Sequence, residues 1–91
     1  MRETAQTITT WGLETCPNMT EADLWAKLDE EIKELKAAMS NRAVAEEGAD
    51  VRIILTRLIA HIGYDLDAET DRKMSIVRSR VYDADGKRVD L

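Results

Sequence analysis

The sequence predicts an all-α fold, a small four-helix bundle completed by oligomerisation, and three observations carry that expectation. Apolar residues recur at helical spacing, with no strand-like alternation of any length. Only one Pro and four Gly interrupt the chain. With 44% hydrophobic residues in 91, the chain makes a modest core, and a domain of this size often gains stability by association. No internal repeat, low-complexity stretch or linker divides it, so residues 1–91 read as one domain.

A first helix is expected over about residues 2–15, ended by Cys16-Pro17-Asn18, because Pro17 disfavours helix at the residue before it. The second starts at Thr20, with Asp23 in the capping-box position, and runs to about residue 39. Its apolar arc is Leu24, Leu28, Ile32, Leu35, Ala38 and Met39. Ser40-Asn41 makes a hairpin turn. A third helix follows over about residues 42–62, with Val44, Val51, Ile54, Leu55, Leu58 and Ile62 on one arc and Gly63 as a left-handed cap. Asp67 is expected to cap a fourth helix running to about residue 82, in which Met74, Val77 and Val81 form the inward stripe. Residues 83–87 then turn, and the remainder is a short tail.

Two acidic pairs interrupt this pattern. Glu31 lies inside the second helix's apolar arc and Glu34 at its edge; Glu47 lies near the centre of the third helix's arc and Asp50 on its margin. An antiparallel hairpin centred at Ser40-Asn41 sets Glu31 level with Asp50 and Glu34 level with Glu47, so four carboxylates converge. Half-buried carboxylates without partners lose several kcal/mol of hydration or take up protons, and together they repel. Lys27 and Lys33 reach only the flanks, and neither arc contains a Lys or Arg. Hard divalent cations with oxygen ligands are the natural counter-charge. Solvated acidic faces are the ordinary alternative in a chain with 34% charged residues, but they belong opposite an apolar stripe, not on it.

The stretch Leu28-Asp29-Glu30-Glu31-Ile32-Lys33-Glu34-Leu35, followed by Glu46-Glu47-Gly48-Ala49-Asp50-Val51, resembles the signature of the MazG-like, all-α nucleoside triphosphate pyrophosphohydrolases. Lys73-Met74-Ser75-Ile76-Val77-Arg78-Ser79-Arg80 is similar to the Lys-Met-x-x-Asn-Arg-x-Arg segment of many relatives, with Val77 where Asn is common. Ile8-Thr9-Thr10-Trp11 through Thr15-Cys16-Pro17 looks like their first helix, with Cys16 where Phe is frequent. The resemblance implies Mg²⁺, replaceable by Mn²⁺, held by Glu31, Glu34, Glu47 and Asp50, and hydrolysis of a (deoxy)nucleoside triphosphate at the α-phosphorus to the monophosphate and pyrophosphate. It also implies a nucleotide-pool role, a homodimer or homotetramer, and Glu30 as the base that orients the attacking water. Lys73, Arg78 and Arg80 match its phosphate-binding positions and suit a polyphosphate chemically, although late basic residues also complement a helix dipole.

Other candidates divide between site and scaffold. Trp11 offers a flat wall for a nucleobase or packs in the core; Trp25, at the edge of an apolar arc, is expected in the core. His61 lies about 21 Å along the helix from Glu47, which makes it structural. Cys16 is a lone thiol. The third helix also carries Ile53 and Ile59 at about 240° and 120° from Glu47, off its main arc, which calls for a homo-oligomer with this helix in the interface.

Composition sets other classes aside. No apolar run is long enough to span a membrane and no signal-peptide pattern opens the chain, so a cytoplasmic protein is expected. With 18 acidic against 13 basic residues and net charge −5, the surface should repel nucleic-acid backbone. Two alternatives stay open: a phosphoribosyl-nucleotide pyrophosphatase, and a non-catalytic helical interaction or regulatory dimer.

Overall fold

The computed structural model describes residues 1–90. Four helices follow in order, α1 (Ala5–Thr15), α2 (Glu21–Ala37), α3 (Asn41–His61) and α4 (Leu66–Arg78), and a two-stranded hairpin, β1 (Val81–Tyr82) with β2 (Arg88–Val89), ends the described chain. The all-α architecture is as the sequence predicts. α3 is the central element: α2 packs most extensively against it, and α1 and α4 also lie on it. No helix among the described residues is long and apolar enough to cross a membrane.

Local chemistry sets the helix limits. At α1, the Thr4 hydroxyl accepts from the Thr7 amide and the Thr7 hydroxyl accepts from the Thr4 amide, so the helix starts after Thr4 rather than near residue 2. Thr20 and Asp23 make the same reciprocal box on α2. The hydrogen bonds from Thr20 hold the Asp23 carboxyl below its ordinary range. That contribution to stability is in place above the ordinary Asp pKa and is lost only as pH falls through the lowered one. Gly63, at φ 97°, ends α3 in a Schellman motif: the Gly63 amide donates to Ala60 O and the Tyr64 amide to Ile59 O.

Three further boundaries differ from the sequence reading. α2 stops at Ala37, so Met39 lies beyond the helix and is 98% exposed. Asp65, not Asp67, caps α4, accepting from the Ala68 amide. Asp67 instead accepts from the Ala5 amide at 2.7 Å, which satisfies a free donor in the first turn of α1 and ties α4 to it. Finally, α4 ends at Arg78, where the Ser79 hydroxyl donates to Ile76 O. Beyond it Val81 and Tyr82 pair with Val89 and Arg88, because Asp83 closes the turn by accepting from the Asp85 and Lys87 amides and Gly86 supplies φ 85°.

The core is Leu24 and Leu28 of α2 against Ile54 and Leu58 of α3, with Met19, Ile32, Val51 and Leu55 packed around them. α4 buries no residue, so its expected inward stripe is not covered within one chain. Trp25, expected inside, is half exposed. It falls at the rim of the α2 arc, where α3 does not reach over it.

A second device joins α1 to α3. The buried Arg57 donates from Nη2 to Gly12 O and Cys16 O, each at 3.2 Å, at the carbonyl end of α1 where a cation is favoured. Gly12 is required there, since a Cβ would collide with the Nε, Cδ and Cζ of Arg57. Gly12→Ala is therefore expected to cost about 1–3 kcal/mol, as overpacking does, which for a domain of this size lowers Tm by roughly 4–8 °C per kcal/mol. Thermal unfolding followed by circular dichroism checks it, and an unchanged Tm would show that Arg57 moves aside freely.

Candidate metal centre

Glu31 and Glu34, one turn apart on α2, meet Glu47 on the facing side of α3, and one carboxylate oxygen from each lies within 4.8 Å of the others. Such spacing fits ligation of one cation at 2.0–2.6 Å, since oxygens on opposite sides of it stand about 4–5 Å apart. Glu31 is only 6% exposed, which follows from its place inside the apolar arc. Its Oε1 is 3.2 Å from the Lys27 ammonium, whereas its Oε2 is buried with no hydrogen-bond partner. Glu47 Oε2 is buried and unpartnered as well. Two orphaned carboxylate oxygens on facing helices are what a cation would satisfy.

The electrostatics agree. Three carboxylates against one ammonium leave two negative charges uncompensated. The Glu34 carboxyl is raised above its ordinary value, first by the adjacent Glu31 carboxylate, to which only its protonated form can donate, and by the Glu31 charge, then by lost hydration and the charges of Glu47 and Glu30. Ionising a carboxyl of raised pKa costs the fold stability as pH rises, and a bound cation removes that cost. Lys27 is raised in turn, chiefly by its hydrogen bond to Glu31 and then by the Glu30 charge. Its reach to Glu31 corrects the expectation that Lys27 serves only the flank: four residues along a helix bring side chains together.

The other sequence candidates are distributed differently. Asp50 is exposed and does not share the Glu31–Glu34–Glu47 group, because a step of three residues turns about 300° and carries it to the flank when Glu47 faces α2. Glu30 is exposed and pairs with Lys27 at 3.5 Å, close enough for its charge to act on Glu34. Lys73 and Arg78 are exposed on α4 and Arg80 is half-buried beside the hairpin. Among the described residues, no ion pair joins these three to the acidic group. Trp11, 52% exposed, walls an open apolar groove with Ile8, Ala49, Arg52 and Ile53. Those α3 residues stand at about 140–240° from Glu47, so Trp11 lies on the opposite side of α3 from the carboxylates. Arg57 is the residue that sequence reasoning overlooked. It lies one turn beyond Ile54, at the margin of the α3 apolar arc, and nothing in the side-chain pattern singles it out.

Fold and site together define a small all-α protein whose Glu31, Glu34 and Glu47 carboxylates form a group that can hold a metal ion. The chain matches no family model, and no curated protein or solved structure is significantly similar to it.

If the group binds a cation, Mg²⁺ or Mn²⁺ should raise Tm by mass action, about 2.7 kcal/mol of stabilisation at a hundredfold excess over Kd. Glu34→Gln should reduce the response by removing one ligand charge. Superimposable melting curves with and without metal would assign the group to an ordinary acidic surface.

Proposed function

We propose that this chain is a Mg²⁺-dependent nucleoside triphosphate pyrophosphohydrolase of the MazG-like type, acting as a homo-oligomer on the (deoxy)nucleotide pool. The observation that carries the reading is the pair of buried, unpartnered oxygens, Glu31 Oε2 and Glu47 Oε2, in a three-carboxylate group. The sequence resemblance supplies the substrate class. Glu31, Glu34 and Glu47 hold the metal, with Asp50 one turn along α3 as a further carboxylate. When bound, Mg²⁺ polarises phosphoryl oxygens and lowers the pKa of a water. Glu30 accepts the proton of the water that attacks the α-phosphorus, and pyrophosphate departs in line. Lys27 keeps Glu31 in place by pairing with Oε1. Lys73, Arg78 and Arg80 neutralise the polyphosphate.

A second reading, a non-catalytic helical regulator, is favoured by one observation: Trp11 stands across α3 from the carboxylates. Pyrophosphate release from each common NTP and dNTP, and from a phosphoribosyl-nucleotide, tested with Mg²⁺, Mn²⁺ and chelator, separates the readings. Metal-dependent release from a free triphosphate is expected. Release from the phosphoribosyl-nucleotide alone moves the substrate class, and no release from any of them leaves the regulator.

A further inference from the structure

Arg57 is a buried cation that no carboxylate balances. It is 8% exposed, and among the described residues it takes part in no ion pair. Its hydrogen-bond acceptors are neutral: Gly12 O and Cys16 O for Nη2, and for Nη1 only the sulfur of Met19, at 3.2 Å. A thioether is a weak acceptor, so Nη1 is poorly satisfied. The carbonyl end of α1 contributes the equivalent of about half a negative charge. These neutral acceptors and the helix end offset only part of the guanidinium charge, and a buried charge without an ionised partner is costly.

One face of Arg57 borders a cavity of about 190 Å³ between α1, the Cys16–Met19 loop and α3, many times the space a single water needs. Thr9 and His61 also line it, and although the chain has 18 acidic residues, none lines this cavity. Arg57 is ten residues from Glu47 along α3, about 15 Å of helix, so the cavity is separate from the carboxylate group.

We propose that this cavity binds a small oxyanion of phosphate size, anchored by the Arg57 guanidinium, with the Thr9 hydroxyl and the His61 imidazole as further donors. The ligand completes the charge balance of Arg57 and gives Nη1 a strong acceptor in place of sulfur. The same chemistry is presented by free inorganic phosphate and by the phosphoryl group of a nucleoside monophosphate.

The test is an amide and side-chain NMR titration of the full chain in EDTA, with inorganic phosphate in one arm and a nucleoside monophosphate in the other, each against chloride at equal ionic strength. EDTA keeps cations off the carboxylates, so the result stands apart from the metal-dependent reading. Saturable shifts at Thr9, Cys16 and the Arg57 Nε–H are expected, and Thr9→Val and His61→Ala should each weaken binding about tenfold, the loss of one charge-assisted hydrogen bond. Glu47→Gln should leave the affinity unchanged. Saturation by phosphate identifies the free ion as sufficient, and saturation by the monophosphate alone identifies a nucleotide's phosphoryl group. Shifts that merely follow ionic strength in both arms, or equal affinity in wild type and both cavity variants, overturn the site. Arg57 itself is left in place because it also caps α1.

Discussion

Glu47→Gln is expected to abolish Mg²⁺-dependent pyrophosphate release, by roughly 100-fold or more, while the helical content stays that of the wild type. Losing a direct ligand should exceed the 10–100-fold typical of groups that only orient ligands. Glu47 places a carboxylate oxygen against those of Glu31 and Glu34, and its Oε2 is buried without a partner. Gln preserves the shape but presents one neutral acceptor in place of the charged pair, and hard cations bind chiefly through charge. Folding should not suffer, because the substitution also removes like-charge repulsion within the group. Equal or higher Tm with lost turnover is the combined signature, read by calorimetry and a pyrophosphate assay. Full turnover by the variant, or by wild type in excess EDTA, would sink the metal-dependent mechanism.

How far the site was legible depends on which physical signal each residue carries. Glu31 and Glu47 could be found because a carboxylate inside an apolar arc conflicts with periodicity, and the structure buries both conflicting oxygens. Asp50 shares the spacing but lies on the margin, where a small error in helix rotation separates a ligand from a solvated acid. Arc membership places Lys27 on the flank because it ignores the length of the side chain, which lets the ammonium reach Glu31. Arg57 was invisible for another reason: its partners are backbone carbonyls of α1 and a sulfur, and main-chain acceptors leave no trace in side-chain pattern. Core pairs such as Leu24 with Leu58 follow directly from the two arcs. Asp65 and Asp67 show the converse limit, since both are good caps and only tertiary contact decides that Asp67 serves α1 instead of its own helix.

The wild-type chain is expected to be a homo-oligomer at micromolar concentration, and Ile53→Glu is expected to shift it towards the 10.3 kDa monomer. One chain by itself is too open. Its radius of gyration is 15.7 Å, against about 12 Å for a compact domain of this length. Its accessible surface is 7048 Å², about 1,700 Å² more than a folded monomer of the same mass exposes. Two copies that each hid this excess would bury about 3,400 Å² together, within the range of obligate homodimers. Ile53 is only half-buried beside Trp11 and Ile8 in the open groove between α1 and α3, and Ile59 is half-buried near Tyr64 and Leu66. Neither is thus fully covered by its own chain, and full burial of such a side chain contributes about 1.5–3 kcal/mol. A carboxylate at position 53 would have to lose its hydration in the interface, whereas in a monomer it would extend into solvent. Light scattering of both proteins decides the matter. A monomeric wild type would refute the assembly, and a variant that keeps the wild-type mass would move the interface away from this groove, towards the uncovered face of α4.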